Sequence, residues 1–392
     1  MDGSQSYVVN LVHTSISRLQ AMNLRIFKIE NMKIEPKLVE NFISSIYGDS
    51  AIQKISYQTL SMAPLFLFLG LLIHLLGAID AQSIGACYGK NGNNLPSETE
   101  VISLVQANNI KRIRIYDPDQ PTLQALRGSN IELILGVPND QLQSLADASA
   151  ANTWVQSNVV AFSPDVRIRY IAVGNEVPPG DSNAPFVLPA MQNIQNAIVS
   201  ANLQGQIKVS TSIDLTLIEN SSPPSNTIFT ANANSYIKPI VDFLTANGSP
   251  LLVNVYTYFS LTDPNVSLEF ALFTSPGVVV TDNQYQYQNL FDALVDSVYA
   301  ALEKVGGGGL RIVVSESGWP SEGGNAATAD NAGVYYRNLV NHVTKGTPRK
   351  SGEAIETYLF AMFDENLKDA GIEQHFGLFL PSQQPKYQIS FG

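Results

Sequence analysis

The run VVSESGWPSEGG, Val313–Gly324, starts as a strand and stops on a carboxylate. Ile312, Val313 and Val314 are β-branched residues of the kind that fill a buried strand, whereas Gly318 and Pro320 break one. A strand that simply ran out into solvent would need only a polar residue and a turn. Glu316 and Trp319 at the same strand end imply that the end itself has a task.

Seven other runs share its character: SIGACYG from Ser83, RIRIYD from Arg112, IELILGV from Ile131, RIRYIAVGNE from Arg167, IKVSTSI from Ile207, LLVNVYTYF from Leu251 and TYLFAMFDE from Thr357. With LRIVVSE from Leu310 they make eight. Helix signals lie between them. SETEVISLVQANN carries a capping box, Ser97 and Glu100, ahead of the apolar Val101, Leu104 and Val105. NDQLQSLADA opens on Asn139, and QNLFDALVDSVYAALEKVGGGG closes on a glycine run that terminates a helix. Strand alternating with helix predicts a parallel sheet with helices outside, and eight strands is the number that closes such a sheet. The expected fold is α/β, a (β/α)8 TIM barrel forming a single domain over residues 82–392, with no long helix after the eighth strand. An open doubly wound sheet is the alternative, but no glycine-rich phosphate loop follows the first strand.

Composition narrows the function classes. The 392 residues are 45% hydrophobic and 15% charged, so disorder is not the default expectation. A net charge of −11 without a long basic run argues against nucleic acid, because a phosphate-binding surface needs clustered Lys and Arg. The single Cys87 cannot form an internal disulfide, and no Cys or His cluster has metal-ligand spacing, so neither a metal nor a cofactor is expected. The pI near 4.8 suits a mildly acidic compartment without identifying one.

The segment MAPLFLFLGLLIHLLGAIDAQS, Met62–Ser83, stands apart. Its apolar part, Leu65–Gly77, has the length of a signal-peptide core and is short for a bilayer span. Residues 62–81 therefore read as a signal peptide, cleaved after Ala81 to leave Gln82 first. Residues 1–61 are an unassigned extension, read either as an upstream stretch of the gene model with Met62 as the start, or as part of a signal anchor or dual-targeting leader. Asn220, Asn247 and Asn265 open glycosylation sequons, and the closing KYQISFG has no hydrophobic tail to signal a lipid anchor. A secreted protein, extracellular or in the cell wall, follows from this reading, with no stable membrane anchor.

In a parallel barrel, function gathers where strands end. The ends here bring Tyr116 and Asp117, Asn175 and Glu176, Tyr256 and Tyr258, Glu316, and Asp364 and Glu365 to one rim. Glu176 and Glu316 come from nonadjacent strands and are expected to face each other. Glycoside cleavage needs such a pair, one carboxyl group to protonate the leaving oxygen and another to attack or support the oxocarbenium-like centre. Tyr116, Tyr258 and Trp319 suit the apolar faces of sugar rings.

Four ordered words sharpen this. AVGNEV at Ala172, NVYTYF at Asn254, VVSESGWPS at Val313 and LFAMFDENLK leading to EQHFGLF at Leu359 and Glu373 together resemble family 17 of the glycoside hydrolases, the plant endo-β-1,3-glucanases, from about Ser83 to Phe391. The resemblance implies a retaining mechanism with Glu176 as general acid/base and Glu316 as nucleophile. It also implies substrate contacts or positioning roles for Glu365, Lys368 and Glu373, with Lys368 near Glu316. Asn175 is expected to hydrogen-bond the sugar 2-hydroxyl, and Tyr256 to contact substrate. Thr257 stands where proline is expected in NVYTYF, and Asp364 where asparagine is common; neither touches the two glutamates. The implied substrate is a β-1,3-glucan such as callose or fungal wall glucan, cut by a monomer with a role in plant defence. Mixed-linkage β-1,3;1,4-glucan is the enzyme alternative. A glucan-binding protein without catalysis, or a phosphate-binding barrel, are the others.

Overall fold

Eight parallel strands close on themselves: β1 (Ile84–Cys87), β2 (Arg112–Ile115), β3 (Glu132–Val137), β4 (Arg167–Asn175), β5 (Lys208–Ile213), β6 (Leu251–Asn254), β7 (Ile312–Ser317) and β8 (Thr357–Leu359). Each pairs with its neighbours in the chain, and β1 completes the barrel against β8 with Ile84 opposite Thr357. The computed structural model describes residues 84–391. The expectations for residues 1–61, the signal segment 62–81 and the Ala81–Gln82 junction lie outside the described residues.

The crossovers form α1 (Glu98–Ala107), α2 (Gln120–Leu126), α3 (Ala148–Asn158), α4 (Ala184–Ser200), α5 (Ala231–Asn247), α6 (Leu290–Lys304) and α7 (Ala329–His342). Their starts follow from the chemistry of the preceding residue. Ser97 and Glu100 form the capping box of α1, and Asp119, Asp147, Thr230, Asn289 and Thr328 each accept a backbone N–H from the first turn that follows. Such a cap contributes about 1 kcal/mol. NDQLQSLADA is not one helix: it forms a 3-10 turn at Asn139–Gln141 and one α turn at Leu142–Leu145 before α3. Asp147 restarts the chain by capping Ala150, and the Asn139 side chain is held elsewhere, at the end of β4. After β8 comes only a 3-10 turn, Ile372–Gln374.

Apolar side chains divide into two cores. The larger lies between strands and helices, where residues such as Val105, Leu133, Ile194, Val241 and Leu302 are fully buried. The smaller fills the barrel itself with Cys87, Ile134, Tyr170, Ala172, Leu252, Val313 and Tyr358. Below it a network of Arg112, Arg169, Glu132 and Glu356 ties the N-terminal ends of the strands. Conserving shape at that end is a matter of stability, which leaves the opposite rim for chemistry. Among the described residues no helix is long and apolar enough to cross a membrane.

Candidate active site

The strand ends open into a cleft of about 900 Å³, lined by residues at the end of, or in the loop after, every strand except β3. Glu176 and Glu316 both line it. Each is aimed by an irregularity in its own strand. Along β7 the pairing with β6 steps from Val314 opposite Val253 to Glu316 opposite Asn254, so two residues advance against one. Along β4 it steps from Ala172 opposite Ser210 to Asn175 opposite Ser212. A bulge of this kind turns a side chain that the alternating pleat would send elsewhere. Glu176 then takes a left-handed φ of 50°, a conformation uncommon outside glycine, and its N–H is held by the carbonyl of Ser212 at 2.9 Å.

Beneath the pair lies Arg114, whose side chain is 1% exposed. Its Nη1 donates to Glu316 Oε1 at 3.0 Å, to Asn254 Oδ1 at 3.1 Å and to the Ser315 carbonyl at 3.1 Å. Its Nη2 donates to Asn175 Oδ1 at 2.7 Å and to Ser212 Oγ at 3.2 Å. A guanidinium only donates, so both asparagine atoms facing it are oxygens. The amide nitrogens are thereby turned outward. Asn254 Nδ2 donates to Glu176 Oε1 at 2.8 Å, which places the proton of a neutral Glu176 on Oε2.

Glu316 is 6% exposed and accepts two more hydrogen bonds, from Tyr116 Oη to Oε1 at 2.8 Å and from Tyr256 Oη to Oε2 at 2.6 Å. Burial, and the neighbouring Glu316 charge among the other causes, pushes both phenols well above their ordinary range, so they remain donors. Glu176 is reached by solvent from the cleft, yet its pKa is raised to about 7. Desolvation is the first cause and the charge of Glu316 the second; Asp214 adds to the rise, while the Asn254 hydrogen bond and Arg114 oppose it. Two carboxyl groups in one cleft thus have different surroundings, one bound by three donors and one poised to hold a proton near neutrality.

Eight of the ten residues expected at the site line the cleft: Tyr116, Asn175, Glu176, Tyr256, Glu316, Glu365, Lys368 and Glu373. Trp319 and Tyr258 do not, which corrects their expected role as sugar platforms. Trp319 is fully buried, edge-on to Tyr258 at 5.1 Å, with its indole N–H on the Ala326 carbonyl at 3.1 Å. Just before Trp319, Gly318 passes so close to the Phe360 carbonyl that a β-carbon there would collide with it. The indole anchors the loop and Phe259, 46% exposed, offers the aromatic surface instead.

A second correction concerns the cation beside Glu316. It is Arg114, not Lys368, whose ammonium stands 3.7 Å from Glu365, 3.7 Å from Glu373 and 4.3 Å above the Phe360 ring. Glu365 is 3% exposed and accepts the Asn91 N–H at 2.7 Å, so it joins the loops after β1 and β8. Arg114, Asn254 and Asp214 were missed in the sequence. The signal was present in RIRI, where Arg112 and Arg114 share the barrel-facing side of a strand, because a buried arginine requires acceptors. Lysine cannot span them: Arg114→Lys is expected to lower kcat/KM by about 10²-fold with the melting temperature less affected than by Arg114→Met. Steady-state kinetics with thermal denaturation of both variants check this.

A closed (β/α)8 barrel with paired glutamates at its C-terminal mouth defines a glycosidase-type site. The chain belongs to family 17 of the glycosyl hydrolases, whose model matches residues 84–391, and it is a glycoside hydrolase. A glucan endo-1,3-beta-glucosidase of Vitis vinifera is 64% identical over 332 residues, covering 83% of this chain and 96% of its own. The acidic isoform GI9 of that enzyme from Nicotiana tabacum is 55% identical over 84% of this chain and 97% of its own. Among solved structures, the chain is similar to one of two plant β-glucan endohydrolases with distinct substrate specificities, with a TM-score of 0.76 and 47% identity over 78% of this chain and 99% of that one. CJP38, a β-1,3-glucanase and allergen of Cryptomeria japonica pollen, gives a TM-score of 0.77 and 46% identity over 79% and 99%.

Proposed function

We propose that this protein cleaves internal (1→3)-β-D-glucosidic bonds of β-glucans with retention of configuration, Glu316 acting as nucleophile and Glu176 as acid/base. The observation that carries the assignment is the contrast between the two carboxyl groups. Glu316 is oriented by Arg114, Tyr116 and Tyr256, while Glu176, with a pKa of about 7, offers a proton from Oε2. In the first step Glu316 forms a bond to the anomeric carbon as the glycosidic C–O bond breaks, and Glu176 passes its proton to the departing oxygen. Esterification removes the Glu316 charge, one of the causes that raise Glu176, so the resulting Glu176 carboxylate is stabilised for its next task. It then takes a proton from the water that attacks the glycosyl-enzyme. The Nδ2 of Asn175, turned outward by Arg114, is the group available to a sugar hydroxyl.

The names of the relatives support the 1,3 linkage, and the distinct specificities of the two plant endohydrolases keep mixed-linkage glucan as the second reading. Callose or fungal wall glucan as natural substrate, a defence role, monomeric state, and secretion through removal of residues 62–81 belong to the same proposal. So does glycosylation; Asn220 and Asn265 are exposed and Asn247 is half-buried at the end of α5. Comparing laminarin with mixed-linkage glucan tests the linkage, and proton NMR of the first products tests the stereochemistry. The expected result is β-configured reducing ends on oligosaccharides of mixed length from laminarin. First-formed α-anomers would reassign Glu316 as a base that activates water.

The pH profile follows from the same groups. A general acid works only while protonated, so kcat/KM should fall as pH rises through about 7, the value for Glu176. Asp214→Asn removes a charge that raises Glu176, and the basic limb should move to lower pH by a fraction of a unit. An unmoved limb would show that Asp214 does not act on the proton.

A further inference from the structure

The carboxyl-terminal segment contributes a cation that faces neither substrate nor solvent. Lys386, with 11% of its side chain exposed, donates to Asp364 Oδ1 at 2.7 Å and Oδ2 at 2.8 Å, and to Ser321 Oγ at 2.8 Å; the His375 carbonyl lies at 3.5 Å. These acceptors come from separate stretches. Ser321 follows β7, Asp364 lies just beyond β8, and His375 closes the loop that carries Lys368, Glu373 and Phe376 into the cleft. The stretches also meet each other. Ser321 N and Oγ both donate to the His375 carbonyl, at 2.9 and 3.1 Å, and Gly377 N donates to Asp364 Oδ1 at 2.8 Å. Beside the ammonium, Tyr387 packs on Tyr336 at 5.5 Å, and the Tyr336 hydroxyl reaches the carbonyls of Phe360 and Phe376 at 2.6 and 3.1 Å.

We propose that Lys386 is a positioning residue for this rim of the cleft, setting the loops after β7 and β8 as one unit through Asp364, Ser321 and His375 and thereby fixing the substrate-facing Phe360, Glu373 and Phe376. The physical case is that the loops after β7 and β8, which otherwise meet through the neutral hydrogen bonds of Ser321 to the His375 carbonyl, would sample several arrangements. One buried ammonium with a charged acceptor and two neutral ones selects a single arrangement. Misplacing contact groups by a fraction of an ångström weakens binding of an extended chain before it affects the two glutamates, of which Arg114 holds Glu316 and Asn254 holds Glu176.

The inference rests on the glucanase reading only for the choice of ligand, and its test separates the two. In wild type, hydrolysis of a laminarin oligosaccharide establishes the substrate; its resistance while a mixed-linkage oligosaccharide is cut removes only the 1,3-linkage reading, and the assay then uses the oligosaccharide that is cut. Lys386→Met should raise KM for that oligosaccharide about tenfold with kcat changed less than about threefold, at a temperature well below its melting point. Lys386→Arg should recover at least half of the loss. In a Glu316→Gln background, calorimetric affinity for the same oligosaccharide should fall by the same factor without any turnover. The double variant Lys386→Met/Asp364→Asn removes the stranded charge and regains folding, yet should keep the raised KM. A lowered melting temperature with wild-type KM and affinity, or wild-type KM in the double variant, would reduce Lys386 to a brace for stability and overturn the proposal.

Discussion

Glu316→Gln is expected to lower kcat on laminarin by roughly 10⁴- to 10⁶-fold, the loss that follows when a nucleophile is removed from a unit whose other members remain. The amide keeps the length of the side chain and an acceptor for Arg114, so folding should survive with a small fall in melting temperature. Glu316→Ala differs. Glu316 is 6% exposed and paired with an arginine whose side chain is 1% exposed. Truncating one partner of a buried pair costs about 3–5 kcal/mol because the other charge is stranded. The alanine variant should therefore melt well below the glutamine variant while losing similar activity. Far-UV circular dichroism melts and single-turnover kinetics measure both quantities. More than a hundredth of wild-type turnover in the glutamine variant would remove Glu316 from the nucleophile's role.

Glu176→Ala is expected to fail differently, and the difference identifies the role. On glucan, where the leaving oxygen needs a proton, kcat/KM should drop by about 10²- to 10⁴-fold. An activated aryl glycoside departs without protonation, so its first step should remain near the wild-type rate. Hydrolysis of the glycosyl-enzyme then lacks its base, and the aryl group should appear as a burst followed by slow turnover. Added azide needs no base; it should speed the second step and give a β-glycosyl azide. The basic limb near pH 7 should also disappear, because the group responsible for it is gone. A loss of equal size on both substrates would mean that Glu176 positions the sugar and moves no proton.

The barrel and the two glutamates that line its cleft were legible in the chain by itself. Strand and helix are set by local periods, β-branched runs against capped amphipathic stretches, and eight alternations admit few closed arrangements. Seven of the eight strands lie within the runs read from the sequence, and β7 runs one residue beyond its run, to Ser317. The glutamates were visible because each closes a strand run read from the sequence, a local fact. Nothing local distinguishes Trp319, which is buried, from Phe259, which is exposed. That outcome depends on packing between distant segments: Trp319 sits edge-on to Tyr258, 61 positions earlier in the numbering. The partner of Glu316 likewise sits about two hundred residues away, as the separation of 202 from Arg114 states. A charge's partner, a side chain's side and a proton's place depend on through-space distance, which closure of the barrel creates and the linear order of residues does not contain. The sequence alone determined which elements form and which carboxylates reach the rim; the tertiary structure decided which cation meets Glu316, which carboxyl has its pKa raised by its surroundings, and which aromatic ring meets solvent.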